Sequence, residues 1–218
     1  MITSSSCFKG DIHVPNSQDT APNSNLLGNV SELDMFIHEY EPDVLIKCLG
    51  RSLYNEFSNQ FKEDYSLKDT ADSKWDDLLK GKEYTISGKT VNWKGLIYKQ
   101  GQYDKSLIAY YVYYHFLSND IENYTGTGVS TKKSKNTEKV SPIPKAVRAW
   151  RKFYELTVGG FYSPILINNN HGYGIDWIGN DNGDKSLYQF IQDMNNINPN
   201  TYPNWQPKRF ENLNLFGV

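Results

Sequence analysis

The run Leu107-Ile-Ala-Tyr-Tyr-Val-Tyr-Tyr-His-Phe-Leu117 constrains this chain more than any other segment. On a helix, successive residues step about 100°. Tyr103, Leu107, Tyr110, Tyr114 and Leu117 then share one apolar stripe, and Ile108, Val112 and Phe116 lie on the other side. A bilayer-crossing helix needs roughly 20 apolar residues, and this run is shorter. A helix that is apolar all round must be covered all round. Phenol rims favour contacts where one end of the ring stays wet. The expectation is a central helix that touches both its own core and a neighbouring subunit, the latter through Tyr110, Tyr111, Val112, Tyr113 and Phe116. That points to assembly rather than catalysis.

A chain of 218 residues can bury a real core, and its net charge of −2 pulls it towards no polyanion. The charge is unevenly spread. Residues 123–152 hold eight Lys or Arg and one acid, about +7, which leaves about −9 elsewhere. Glu32 to Asp43 carries five acids and no base. Blocks of opposite sign suit a repeating head-to-tail interface, and they also suit two solvated faces. Cys7 and Cys48 sit in unrelated contexts, one in a flexible-looking arm and one on an apolar helix side, so neither a disulfide framework nor a zinc spacing follows. The Ser-rich N-terminus lacks the basic-then-apolar order of a signal peptide, so cytoplasmic synthesis is the expectation.

The pattern along the chain predicts a mainly α fold: a helical bundle with a small β-hairpin, a long inter-helix loop and extended N- and C-terminal arms. Residues 1–28 are polar and aperiodic and read as an arm. The helical core spans 29–160, and 161–218 form a C-terminal extension. Ser31, with Asp34 three residues on, caps a first helix carrying Leu33, Phe36, Ile37 and Tyr40. Pro42 restarts it, with Val44, Leu45, Cys48, Leu49, Leu53 and Phe57 on one face. Asp72 or Ser73 opens a short helix with Trp75, Leu78 and Leu79, stopped at Gly81. A hairpin over 83–94 turns at Ser87-Gly88. The aromatic helix follows at about 96–118, then a polar loop at 119–141, long enough to be functional. Ser141-Pro142 opens the next helix, with a buried stripe of Ile143, Val147, Trp150, Tyr154 and Val158, ended by Gly159-Gly160. A last short helix at 185–195, capped near Asp184, buries Leu187, Phe190, Ile191 and Met194. Beyond it, Pro199, Pro203 and Pro207 hold an extended tail whose Tyr202, Trp205, Phe210 and Phe216 are anchors for docking another protein.

No catalytic or metal site emerges from the pattern, and no cofactor is expected. His13, His38, His115 and His171 lack metal-type partners at i+3 or i+4. Aligning Gly183 with the glycine of a calcium loop puts Ile178 and Gln189 at its end positions, so Gly179–Asp184 reads as a turn. Gly126-Thr-Gly128 lacks the Gly-Lys-Ser/Thr of a phosphate loop. The informative feature is basic: Lys145, Arg148, Arg151 and Lys152 on one helical side, preceded by Lys132, Lys133, Lys135 and Lys139. These can meet phosphates non-specifically, or acids on a neighbouring subunit. The tail aromatics also suit sugar stacking, but no carboxylate pair accompanies them.

Six pieces occur in an order that resembles the head–tail connector (neck ring) proteins of tailed bacteriophages, most of all the ring proteins of crAss-like phages. They are Leu49-Gly-Arg-Ser-Leu-Tyr-Asn-Glu-Phe57, Trp93-Lys-Gly-Leu96, Ser106-Leu-Ile-Ala-Tyr-Tyr-Val-Tyr-Tyr114, Tyr124-Thr-Gly-Thr-Gly-Val129, Val140-Ser-Pro142 and Val147-Arg-Ala-Trp150. The resemblance covers roughly residues 30–158; the N-terminal arm and Gly172–Val218 have no counterpart in it. It implies a non-enzymatic virion protein, synthesised in the host cytoplasm, that forms a ring, commonly of twelve copies, beneath the portal. Its partners would be itself, the portal, other neck or tail proteins and, weakly, DNA in the lumen, with no membrane. The long loop, here 119–141, would reach a neighbour or the lumen. The alternative is a non-specific nucleic-acid-binding module using 123–152.

Overall fold

The computed structural model describes residues 2–14, 32–121, 123–125, 128–130, 143–159 and 184–210. The fold is mainly helical. Its helices among these residues are α1 (Glu32–Leu49), α2 (Arg51–Ser58), α3 (Ser73–Lys80), α4 (Leu107–Ile121), α5 (Ile143–Thr157) and α6 (Leu187–Ile197). Three separate antiparallel hairpins join them: β1 (Lys82–Ile86) with β2 (Lys89–Trp93), β3 (Ile97–Gln100) with β4 (Tyr103–Ser106), and β5 (Asn123–Thr125) with β6 (Gly128–Ser130).

The first hairpin follows from its turn. Ser87 and Gly88 both have positive φ, 51° and 76°, the backbone twist that matches a two-residue hairpin loop. Tyr84 pairs with Val91 and both face the core. The second hairpin corrects the expectation of a helix from residue 96. Gly101, at φ 63°, turns Ile97–Gln100 back on Tyr103–Ser106. The helix therefore begins only at Leu107, where the Ser106 hydroxyl accepts from the Ile108 N–H at 3.1 Å. Tyr103 sits on a strand and is exposed, outside the apolar stripe assigned to it.

The break in the first helical pair also moves. Pro42 lies inside a continuous α1, and the chain breaks at Gly50 instead. Gly50 has φ +82°, and a Cβ there would stand 2.6 Å from the Gln206 carbonyl oxygen. Only glycine allows both the backbone turn and the approach of the C-terminal segment. The α1 cap expected at Ser31 falls outside the described residues.

Helix α4 packs against α1 and α5. Phe116 meets Phe36 and His115 meets Tyr40 on the α1 side, while Tyr114 meets Trp150 of α5. The buried stripe of α5 is turned from the expected one. Ala146, Ala149, Phe153 and Thr157 are buried, while Val147, Trp150, Tyr154 and Val158 are half-buried and Ile143 is exposed. Two alanines let α5 lie close to α4, and bulk alone misled the sequence pattern. Helix α6 buries the four residues expected of it, but Ser186 caps it through a reciprocal bond with Gln189. Asp184 pairs instead with Lys94 at 2.5 Å and accepts from Asn92 at 3.1 Å.

The N-terminal segment is extended but does not project. The Glu41 carboxylate, almost fully buried on α1, accepts the backbone N–H groups of Ile2 at 2.8 Å and Thr3 at 2.7 Å. Two 3₁₀ turns then deliver Cys7, Phe8, Ile12 and Val14 into the core. Of the arm assigned to 1–28, residues 2–14 thus belong to the body, and the remainder lies outside the described residues. A charge-assisted hydrogen bond is worth about 1.5–3 kcal/mol. Glu41→Ala should therefore destabilise the protein by about 2–4 kcal/mol and speed amide exchange at Thr3, Cys7 and Phe8. A melting temperature and exchange pattern matching wild type would show that the clamp is idle.

Candidate interaction face

Helix α5 carries its charges against its own dipole. Its first turn holds no acid and its last turn no base, whereas α1 has Glu32 and Asp34 at its start and Lys47 at its end. Cations near a helix N-terminus cost stability, by roughly 0.3–1 kcal/mol within the first turn. Lys145 stands there, with Arg148 just beyond. An arrangement unfavourable for the isolated helix is favourable for meeting negative charge.

These side chains border an open groove of about 290 Å³. Lys145, Arg148, Arg151 and Lys152 line it with Ala149 and Glu155 of α5, Tyr110 of α4, and Asp11 and Ile12 of the N-terminal segment. The four basic residues expected from the sequence are thus brought to one surface feature. Lys145 lies over the Tyr113 ring, its ammonium 5.3 Å from the centroid, and Lys152 pairs with Glu155 at 3.1 Å. Arg148 is exposed and makes no ion pair among the described residues. Lys132, Lys133, Lys135 and Lys139 lie outside the described residues. Four cations face two carboxylates, so the groove is basic but mixed. The walls contributed by Asp11 and Ile12 were not foreseen; the only signal was the apolar spacing of Phe8, Ile12 and Val14 within a polar segment.

The tyrosine helix is a correction. Tyr111, Val112 and Tyr113 are 1%, 0% and 1% exposed, all covered by this chain itself. They are not available to a neighbouring subunit. Tyr110 and Phe116 are half-buried and also pack on the core. The Tyr111 hydroxyl donates to Asp43 at 2.7 Å and accepts from Lys47 at 2.8 Å, which satisfies a deeply placed phenol. Burial pushes the Tyr111 hydroxyl far up, and the Asp43 carboxylate adds to the effect. Burial would raise Asp43 too, but hydrogen bonds from Lys47 and Tyr111 and the Lys47 charge outweigh it and hold Asp43 below its ordinary value.

The docking tail is a second correction. Tyr202 is fully buried, its hydroxyl donating to the Lys74 carbonyl at 2.7 Å. Trp205 donates its indole N–H to the Cys48 carbonyl at 2.9 Å, and Phe210 packs on Phe153 with centroids 5.0 Å apart. These aromatics anchor the tail to its own body, and Phe216 falls outside the described residues. Both cysteines are buried, and burial raises their thiols, so neither is an activated nucleophile. Among the described residues, no group of three or more His, Cys, Asp or Glu is placed to hold a metal ion, and no helix is long and apolar enough to cross a membrane.

Residues 45–150 match the model of DUF6712, a family of unknown function. The matched stretch runs from the later turns of α1 to the middle of α5. It leaves out the N-terminal segment and α6 with its tail. No curated protein and no solved structure matches the chain.

Removing residues 198–218 should cost about 5 kcal/mol or more, since losing one large buried aromatic alone costs roughly 3–5 kcal/mol. Thermal melting of a chain ending at Ile197 measures this; an unchanged midpoint would return the tail to an external role. His115 supplies a pH dependence. Burial, helped by the Lys47 charge, lowers its pKa from 6.5 to about 4. The folded state therefore favours the neutral ring, and the unfolded chain takes up the proton first as pH falls. Stability from this group is complete above pH 6.5 and is lost progressively towards pH 4. With partial solvent screening, urea titrations should show wild type losing about 1 kcal/mol more than His115→Gln between pH 7.5 and 5. Parallel pH profiles for the two proteins would refute the assignment.

Proposed function

We propose that this chain is a non-enzymatic structural protein of a phage virion, a ring adaptor between portal and tail that extends the DNA channel. The supporting observation is a pair of unlike faces on the two helices that pack on α4. One flank of α1 exposes Glu32, Met35 and Glu39; the outer side of α5 exposes Arg148 beside Lys145 and Lys152. A ring requires such a heterologous contact, in which one patch meets a different patch on the next copy and rotation closes the circle. The six sequence pieces that resemble connector proteins give the architecture its name, and a copy number of twelve comes from that resemblance alone. The partners under this reading are further copies, the portal, neighbouring neck or tail proteins and, weakly, genomic DNA.

Nucleic acid is the second reading, favoured by the four cations of the groove and opposed by Asp11 and Glu155 within it. A phosphate-dominated contact weakens steeply with salt, without sequence preference.

Electron microscopy and native mass spectrometry of the purified protein, alone and with a portal protein, test the proposal. Annular particles of one closed stoichiometry are expected. Compact single molecules under both conditions would sink it, and tight, salt-sensitive duplex binding by such monomers would favour the second reading.

A further inference from the structure

We infer that the α5 groove is the seat for the first turns of α1 of a second copy, with Glu32, Met35 and Glu39 as the inserted residues. The inference rests on the ring-adaptor reading and names the contact that would close it.

The two surfaces match in spacing. Glu32, Met35 and Glu39 recur at intervals of three and four and so form one stripe on α1. Lys145, Arg148 and Lys152 recur at the same intervals and form one stripe on α5. Seven residues of helix rise about 10 Å, so the two acids and the outermost two lysines are equally far apart. They match in character as well. The α1 stripe is acid, apolar, acid, and Met35 is 61% exposed, the highest value among the large exposed hydrophobic side chains of the described residues. The groove offers cations on its α5 wall and apolar surface chiefly from the half-buried Tyr110, with Ile12 and Ala149 almost wholly buried at its floor. A methionine suits such a surface because its unbranched side chain adapts to irregular space.

The mixed charge of the groove favours this occupant over nucleic acid. Asp11 and Glu155 oppose phosphates and carboxylates alike, but a helix bringing only two carboxylates around an apolar Met35 meets less of that repulsion than a continuous run of phosphates. One copy has one stripe and one groove, so the contact is head to tail and leaves one surface open at each end of a row, a stripe at one end and a groove at the other.

Two neutralised proteins test it, Glu32→Ala/Glu39→Ala and Lys145→Ala/Arg148→Ala, all at surface positions whose folding is checked by circular dichroism. In sedimentation runs at low salt, each should self-associate at least roughly tenfold more weakly than wild type. Mixed in equal amounts, the intact α1 of one and the intact groove of the other should give a 1:1 pair that grows no further. Wild-type-like assembly of either protein alone would overturn the inference while leaving the ring reading standing, because another surface would then close the ring. Absence of association in wild type, alone and with portal, would overturn both. A mixture that stays monomeric, or loss of duplex binding in Lys145→Ala/Arg148→Ala with self-association intact, would also overturn the inference, the latter in favour of nucleic acid.

Discussion

Around the Tyr111 side chain, three helices and the C-terminal segment meet. Its hydroxyl bridges Asp43 and Lys47 of α1, and its ring touches Tyr40, His115, Trp150, Phe153 and Phe210. A phenol can do both because its body is apolar and its tip is polar. Burying a large apolar side chain contributes about 1.5–3 kcal/mol, and an unpaired hydroxyl at the same depth would cancel much of it. The Asp43–Lys47 pair is half-exposed and of small value by itself; an i,i+4 pair contributes about 0.3–0.5 kcal/mol. Its larger effect is to satisfy Tyr111 and so allow α4 to sit centrally between α1 and α5.

A second aromatic group organises the other half. Phe190 stacks on Trp93 and meets Tyr84 and Tyr202, while Trp75 joins Tyr202 to Phe57. The C-terminal segment contributes one residue to each group, Tyr202 here and Phe210 beside Tyr111. Between them, Gln206 and Lys208 donate backbone N–H groups to the carbonyls of Leu49 and Lys47 at 3.3 and 2.8 Å. That path runs directly over Gly50, which explains why the break between α1 and α2 falls at a glycine. The N-terminal segment closes the body elsewhere through Glu41. Both end segments are therefore parts of the fold, although neither lies within the stretch matched by the family model.

Helix α6, the Ser87-Gly88 hairpin and α3 with its Asp72 cap were legible in the sequence because each rests on local chemistry: a periodic apolar face, a two-residue turn, or a side-chain oxygen at a helix start. What was not legible depends on contacts distant in sequence. Glu41 read as one of five acids on an exposed flank because its partners, Ile2 and Thr3, are about forty residues away. The aromatics of the tail read as outward anchors because proline spacing and exposed hooks look the same as a strap folded inward. For the groove, the cations of α5 could be read from sequence, but the wall built by Asp11 and Ile12 could not. The α5 stripe failed for a different reason: Ala146 and Ala149 carry little hydrophobic weight, yet small residues permit the closest helix approach.

The burial of α4 changes what assembly must rest on. Had its apolar circumference been left open, association would be driven by hydrophobic area and would resist salt. With Tyr111, Val112 and Tyr113 enclosed, the remaining unlike faces are charged and partly apolar. Exposed ion pairs contribute about 0.2–1 kcal/mol each, so a single contact of this kind is weak. In the proposed ring, closure would compensate, because each copy would be held at two interfaces and the last contact to form would be intramolecular, with an effective concentration far above that in solution. Weak pairwise contacts joined by closure also favour one stoichiometry over open chains, since an unclosed array forgoes its final contact. Under the ring-adaptor proposal, a contact that is weak singly yet measurable at low salt would tie stable assembly to closure.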